Sequence, residues 1–278
     1  MRAVLGAVGA LVAFYLGVTA LAFPLTLTLA LVVGEEGMLA MASASAAIVL
    51  AAVAVYAALL RMGWATRQML GWPATRLVYR SLAVGAVIGL SAAAAAIVLA
   101  LAAGSAHITA TGEPVSRFLP AAGSLAALLA LAALAEELVF RGYPLARLSA
   151  VLGKAGASVV LAAMFALAHV WNPSVSALGL VNIGLASLVL SAAFFTPGGL
   201  AAAWGVHWGW NAGLSLLADA PVSGLQFDLP TFDFTPGEPV WIAGGRFGPE
   251  GGLVATLALA VTLALLVRKN ARTMEDQS

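Results

Sequence analysis

The stretch from Pro120 to Arg141 reads PAAGSLAALLALAALAEELVFR. From Leu125 to Ala135 it contains only Leu and Ala, both strong helix formers. A soluble amphipathic helix would turn a polar face to solvent every three or four residues. Here no such face exists until Glu136 and Glu137 close the run. A spanning helix needs about 20 apolar residues, so this reads as a transmembrane helix with two carboxylates near its end.

The rest of the chain repeats the pattern. It is 62% hydrophobic and 9% charged, where a soluble domain carries about 25% charged residues. Lipid must therefore solvate much of the surface. Apolar runs predict about eight helices, over 4–33, 38–60, 81–103, 120–141, 156–171, 175–195, 199–218 and 251–267. The expected fold is all-α: a polytopic transmembrane bundle formed by residues 1–278 as one integral membrane domain. A membrane barrel would instead show alternating segments of about 10 residues. The apolar run after Arg2 continues to Val33, too long for the core of a typical signal peptide, so it reads as an uncleaved first helix.

Charge sets the orientation. Arg61, Arg67, Arg76 and Arg80 lie between the second and third helices, Arg141, Arg147 and Lys154 between the fourth and fifth, and Arg268, Lys269 and Arg272 after the last. The opposite loops hold Glu35, Glu36, Glu113 and the acids from Asp219 to Glu250. Eight helices with both termini in the cytoplasm put every basic cluster on one side. An Arg-rich, Lys-poor, Ala- and Gly-rich composition points to a GC-rich, bacterial source and thus to a bacterial cytoplasmic membrane. Residues 219–250, with their prolines and glycines, predict an extracytoplasmic loop without regular helix. Residues 142–155 predict a short amphipathic piece at the cytoplasmic interface. The net charge of +1 says nothing about nucleic acid, but no Lys/Arg-rich run exists that could track phosphates, so no nucleic-acid partner is expected. With no cysteine there is no disulfide, thiolate zinc site or thiol nucleophile.

Chemistry concentrates in a few residues. Glu137 and Arg141 are four apart and share a helix face, which predicts an ion pair. Glu136 points about 100° away with no local partner. His169 falls in the fifth predicted helix and His207 in the seventh, whereas His107 falls in an outward loop. Ionisable groups inside a membrane pair with one another or face water, so Glu136, His169 and His207 predict a shared site. In the seventh helix Gly205, Gly209 and Gly213 form a small-residue packing stripe. His207 and Asn211 lie about 160° round from it and should face a cavity. Glu136 sits near its helix end and His169 deep in its own, so their expected depths differ.

Glu136-Glu137-x-x-x-Arg141, Phe165-x-x-x-His169 and His207-x-x-x-Asn211, in that order, resemble the CPBP family of intramembrane proteases, relatives of the CAAX prenyl endopeptidase Rce1 and of bacterial Abi proteins. The likeness covers about residues 120–218, and Gly244–Gly251 also looks like the loop before the last helix in many bacterial members. A protease-like core over about 120–267 is thereby implied. The resemblance implies that Glu136 activates water, that His169 helps to hold it, and that His207 and Asn211 stabilise the oxyanion. Glu137, Arg141 and Phe165 are implied as supporting residues. The substrate implied is a membrane protein or peptide at the bilayer. The resemblance favours a metal-free mechanism, and nothing in the sequence suggests an organic cofactor. Zinc bound by Glu136, His169 and His207 is the alternative, since two His and one carboxylate make an ordinary hydrolase set. A proton-coupled transporter or a noncatalytic assembly or immunity protein are the other readings of the same polar groups.

Overall fold

A computed structural model describes residues 2–275; Met1 and residues 276–278, the ends of the expected 1–278 domain, lie outside the described residues. The helices are α1 (Arg2–Val33), α2 (Gly37–Arg61), α3 (Thr75–Ala102), α4 (Val115–Phe140), α5 (Gly142–Ala168), α6 (Ala177–Phe194), α7 (Gly199–Ala218), the single turn α8 (Val240–Ala243) and α9 (Leu253–Glu275). Eight of these are long, as expected. Among the described residues six stretches are long and apolar enough to cross a membrane, one of which, Val115–Ala168, contains both α4 and α5. In the most apolar part of α1 only 11% of the residues are buried within the protein. Its exposed Val4, Leu5, Val8, Val12 and Leu16 require lipid as their solvent. The chain is an integral membrane helical bundle.

α7 is not among the six stretches, because Trp204, His207, Trp208, Trp210 and Asn211 dilute its apolar run. Neighbouring helices shield it instead. α3 packs along α7 more extensively than any other helix pair. The expected glycine stripe makes this possible: a Cβ on Gly205 or Gly209 would collide with the Leu82 or Ala86 carbonyl oxygen, and one on Gly213 would crowd Ala93. Gly85 and Gly89 of α3 answer from the other side, against the backbone of Ala202 and Val206. Gly209→Val is expected to cost at least the ~1–3 kcal/mol of an overpacked core, read as a lower Tm in detergent. Gly6→Val on α1, where a Cβ meets nothing within 4 Å, is the control that should melt like the parent.

Several boundaries differ from expectation for local reasons. The expected fifth helix, 156–171, ends at Ala168 with His169 as its cap. Pro173 restrains the residue before it away from helical backbone, and a turn occupies His169–Asn172. The interfacial piece at 142–155 joins the same helix, separated by a break at Gly153 (φ 71°, ψ 168°). Gly142 (φ 46°) makes the corner after α4, closed by Tyr56, whose hydroxyl donates to the Leu138 carbonyl at 2.9 Å and accepts from the Tyr143 N–H at 3.0 Å. α9 runs to Glu275, past the expected end at 267, because Arg268, Lys269 and Arg272 are good helix residues once the helix has left the apolar layer.

The 219–250 loop is more ordered than its composition predicts. β2 (Phe232–Pro236) pairs antiparallel with β1 (Ala106–Ala110), so that His107 faces Thr235 on an exposed ribbon. Asp219 caps α7 in left-handed backbone (φ 52°) and accepts from the Leu229 N–H at 3.0 Å and the Gln226 amide at 2.9 Å. Burial pushes the Asp219 carboxyl up to about 6, from 3.8. A raised carboxyl pKa means that protons favour the folded loop. Its contribution is complete below about pH 4 and fades as pH rises through about 6. Hydrogen exchange in 219–231 is expected to quicken across that window in the parent, beyond the intrinsic rate, and to lose the step in Asp219→Asn.

Candidate active site

One cavity of about 420 Å³ lies inside the bundle and is lined by Glu136, Phe165, His169, His207 and Asn211, among others. All four expected catalytic residues therefore meet in one space. The expected disparity in depth is absorbed by the length of the cavity. Its α4 wall alone runs from Leu129 to Phe140, and at 1.5 Å per residue that is roughly 16 Å. Its far end is closed by Val222, Ser223 and Glu250 of the loop.

The expected ion pair forms with both partners at 0% exposure, Arg141 Nη1 lying 3.2 Å from Glu137 Oε1. Arg141 Nη2 also donates to the Ser187 hydroxyl at 2.9 Å and the Ser187 carbonyl at 3.3 Å, tying α4 to α6. Its guanidinium lies 4.7 Å from the centre of the Phe165 ring, a cation–π contact. Glu137 Oε1 further meets His207 Nδ1 at 2.8 Å. With a guanidinium on the same oxygen, the carboxylate acts as acceptor and Nδ1 as donor. This hydrogen bond fixes the ring of His207 and turns Nε2 towards the cavity.

Glu136 lies on the cavity side, as its helical position predicts. Its Oε2 is 3.7 Å from His207 Nε2, beyond hydrogen-bond length. That oxygen is buried and has no hydrogen-bond partner. His169 Nδ1 lies 2.7 Å from the Phe165 carbonyl. A carbonyl only accepts, so Nδ1 carries the proton and Nε2 is the basic nitrogen. Phe165 is the plate between these groups: its ring centre lies 4.6 Å from that of His169 and 6.1 Å from that of His207. Asn211 lines the cavity one turn beyond His207.

Glu136 and the free Nε2 atoms of His169 and His207 are the atoms that zinc would take. Of these, Glu136 and His207 are within 4 Å of each other. Among the described residues no group of three His, Asp or Glu side chains is close enough together to hold a metal ion.

Sequence reasoning missed Glu250, which it grouped with the solvated loop acids. Glu250 is buried, and its Oε1 accepts from the Trp210 indole at 2.9 Å. Its Oε2 accepts from the Ser223 N–H and from the Ser223 hydroxyl at 3.0 Å. Asn182, also missed, donates to the Glu250 and Gly252 carbonyls at 2.8 and 2.9 Å and accepts from Thr256 at 2.7 Å. The signal available was the glycine density around Glu250. Gly244 (φ 81°) and Gly248 (φ 87°) take backbone that other residues avoid. Such a path is needed only where a loop must fold closely onto something.

No curated protein and no solved structure matches the chain. A family model described as Rce1-like, type II CAAX prenyl endopeptidase, matches residues 118–213. That stretch runs from the N-terminal part of α4 to the glycine stripe of α7 and includes every motif residue from Glu136 to Asn211. Over this third of its length, with the motif side chains gathered around one cavity, the chain is similar to the Rce1-like type II CAAX prenyl endopeptidases.

Proposed function

We propose that this protein is an intramembrane endopeptidase that hydrolyses a peptide bond of a membrane-associated protein or peptide, with Glu136 activating the water. The observation that supports this best is the buried Oε2 of Glu136, without a hydrogen-bond partner, beside His207 Nε2 in a largely apolar cavity. An unsatisfied carboxylate oxygen costs stability, and a water positioned for attack is the partner such a site exists to hold.

The remaining groups supply the rest of the reaction. Glu136 takes a proton from water as hydroxide adds to the scissile carbonyl. His169 Nε2, an acceptor, orients the same water. Negative charge then develops on the carbonyl oxygen and needs preorganised donors. The Asn211 amide is a neutral donor that an apolar site tolerates. His207 donates from Nε2 as the imidazolium, with its Nδ1–H held on Glu137. As the tetrahedral intermediate collapses, the proton held by Glu136 passes to the leaving amine, which restores the carboxylate. This scheme calls for neither metal nor organic cofactor. Both oxygens of Glu250 are engaged by Trp210 and Ser223, so the second carboxylate in the cavity serves to hold the loop. The basic helix ends support an orientation with both termini on the cytoplasmic face of what we take to be a bacterial cytoplasmic membrane.

The test is hydrolysis by the purified protein in detergent, using membrane-anchored peptides with and without a prenyl group. Cleavage of at least one peptide is expected, with activity intact in strong chelators. Asn211→Ala is expected to lower kcat by about 10²–10³-fold, the cost of one oxyanion donor, with a smaller change in KM. Failure to cleave any such peptide rejects the reading. Loss in chelator with recovery on added zinc replaces the metal-free scheme with a zinc one.

A further inference from the structure

A second cavity, of about 540 Å³, lies at the basic end of the bundle, away from the candidate active site. It is lined by Gly6, Gly9, Ala10 and Ala13 of α1, Gly63 and Trp64 beyond α2, and Tyr143 and Arg147 of α5. Residues 6, 9, 10 and 13 fall on one helical face, so their small side chains leave a trough along α1. A Cβ on Gly6 or Gly9 would meet nothing within 4 Å. The trough runs beside Val4, Leu5, Val8 and Val12, which face lipid.

Arg147 is the charge in this space. Its Nε is buried without a hydrogen-bond partner, and the guanidinium has no acidic partner among the described residues. No acidic side chain lines the cavity. A buried guanidinium nitrogen lacking an acceptor is a costly arrangement, and a phosphate is the anion that its planar fork matches best. Trp64, 58% exposed, has the amphipathic character of residues at the headgroup level. Arg2, on the trough face by helical spacing, and Arg61, just before Gly63, add positive charge nearby.

We propose that this cavity binds one anionic phospholipid, its phosphate on Arg147 and the start of an acyl chain in the trough of α1. The cavity opens onto the lipid-facing side of α1, so the occupant is drawn from the bilayer rather than from free phosphate in solution. The site is separate from the Glu136 cavity and does not depend on the activity proposed for it.

The experiment is native mass spectrometry of the detergent-purified protein, reloaded with phosphatidylglycerol or phosphatidylcholine of matched chains. The parent is expected to retain phosphatidylglycerol over phosphatidylcholine by about fivefold, the weight of one basic contact with an anionic headgroup. Arg147→Gln should erase that preference. Gly9→Leu should lower retention of both lipids by filling the trough, and since the added side chain enters open space the fold should survive, checked by an unchanged Tm. Equal retention of the two lipids by the parent, or retention unchanged in both variants, overturns the proposal. Displacement of the bound lipid by millimolar inorganic phosphate would reassign the site to a soluble anion and equally overturn it.

Discussion

Glu136→Gln is expected to lower peptide hydrolysis by about three orders of magnitude, within the range for loss of a general base, while leaving the fold intact. The two halves of this expectation come from the same geometry. Glu136 Oε2 has no hydrogen-bond partner to lose, and its approach to His207 Nε2 is 3.7 Å, too long for a bond. Gln is nearly isosteric, so the cavity keeps its shape and stability should change by no more than an unremarkable surface substitution changes it, about 0.5 kcal/mol. An amide cannot accept the proton of water, so kcat should fall with little change in KM. Unchanged or raised stability joined to lost activity is the signature of a functional rather than a structural carboxylate. Glu250→Gln should do the reverse. It weakens the bonds to Trp210 and Ser223 that close the cavity, so stability falls first and activity follows it. If Glu136→Gln cleaves substrate at the parental rate, the water is activated elsewhere and the assignment fails.

How much of this site could be read from the sequence depended on whether a residue's environment was local. The helices were legible because lipid imposes a length and an apolar composition that survive any packing arrangement. The Glu137–Arg141 pair and the α7 glycine stripe were legible because each follows from spacing within one helix. The convergence of Glu136, His169 and His207 followed from the cost of isolated polar groups in a membrane. Glu250 was not legible on these grounds. Its burial depends on Asn182, about 70 residues away in sequence, and on a glycine-rich path that brings the loop back onto α7. The β1–β2 ribbon was missed for a like reason, since its two strands are paired across more than a hundred residues. The boundary of α5 at His169 was misplaced because apolar composition continues to Trp171 while the backbone has already turned towards Pro173. Trp171 is 93% exposed, so the apolar run outlasts the helix.

Arg141→Met is expected to destabilise the protein by about 3–5 kcal/mol, the cost of stranding one charge of a buried pair. The parent holds this pair at 0% exposure on both side chains, so solvent cannot rescue either partner. Removing the guanidinium strips Glu137 Oε1 of its cation and frees the Ser187 hydroxyl and carbonyl between α4 and α6. It also removes the cation packed on Phe165. Glu137→Gln alone is expected to cost less stability, because the amide oxygen still accepts from Arg141 and from His207. Its larger effect should be on catalysis, since a neutral amide holds the His207 ring less firmly through Nδ1. Thermal melting in detergent separates these effects, and the double variant Glu137→Gln/Arg141→Met supplies the decisive comparison. If the damage in Arg141→Met is an uncompensated carboxylate, the double variant should melt above the Arg141→Met single. If the two losses simply add, Arg141 acts mainly by bridging α4 to α6 and by packing on Phe165. In that case the charge pairing inferred from four-residue spacing would be correct in geometry but minor in energy.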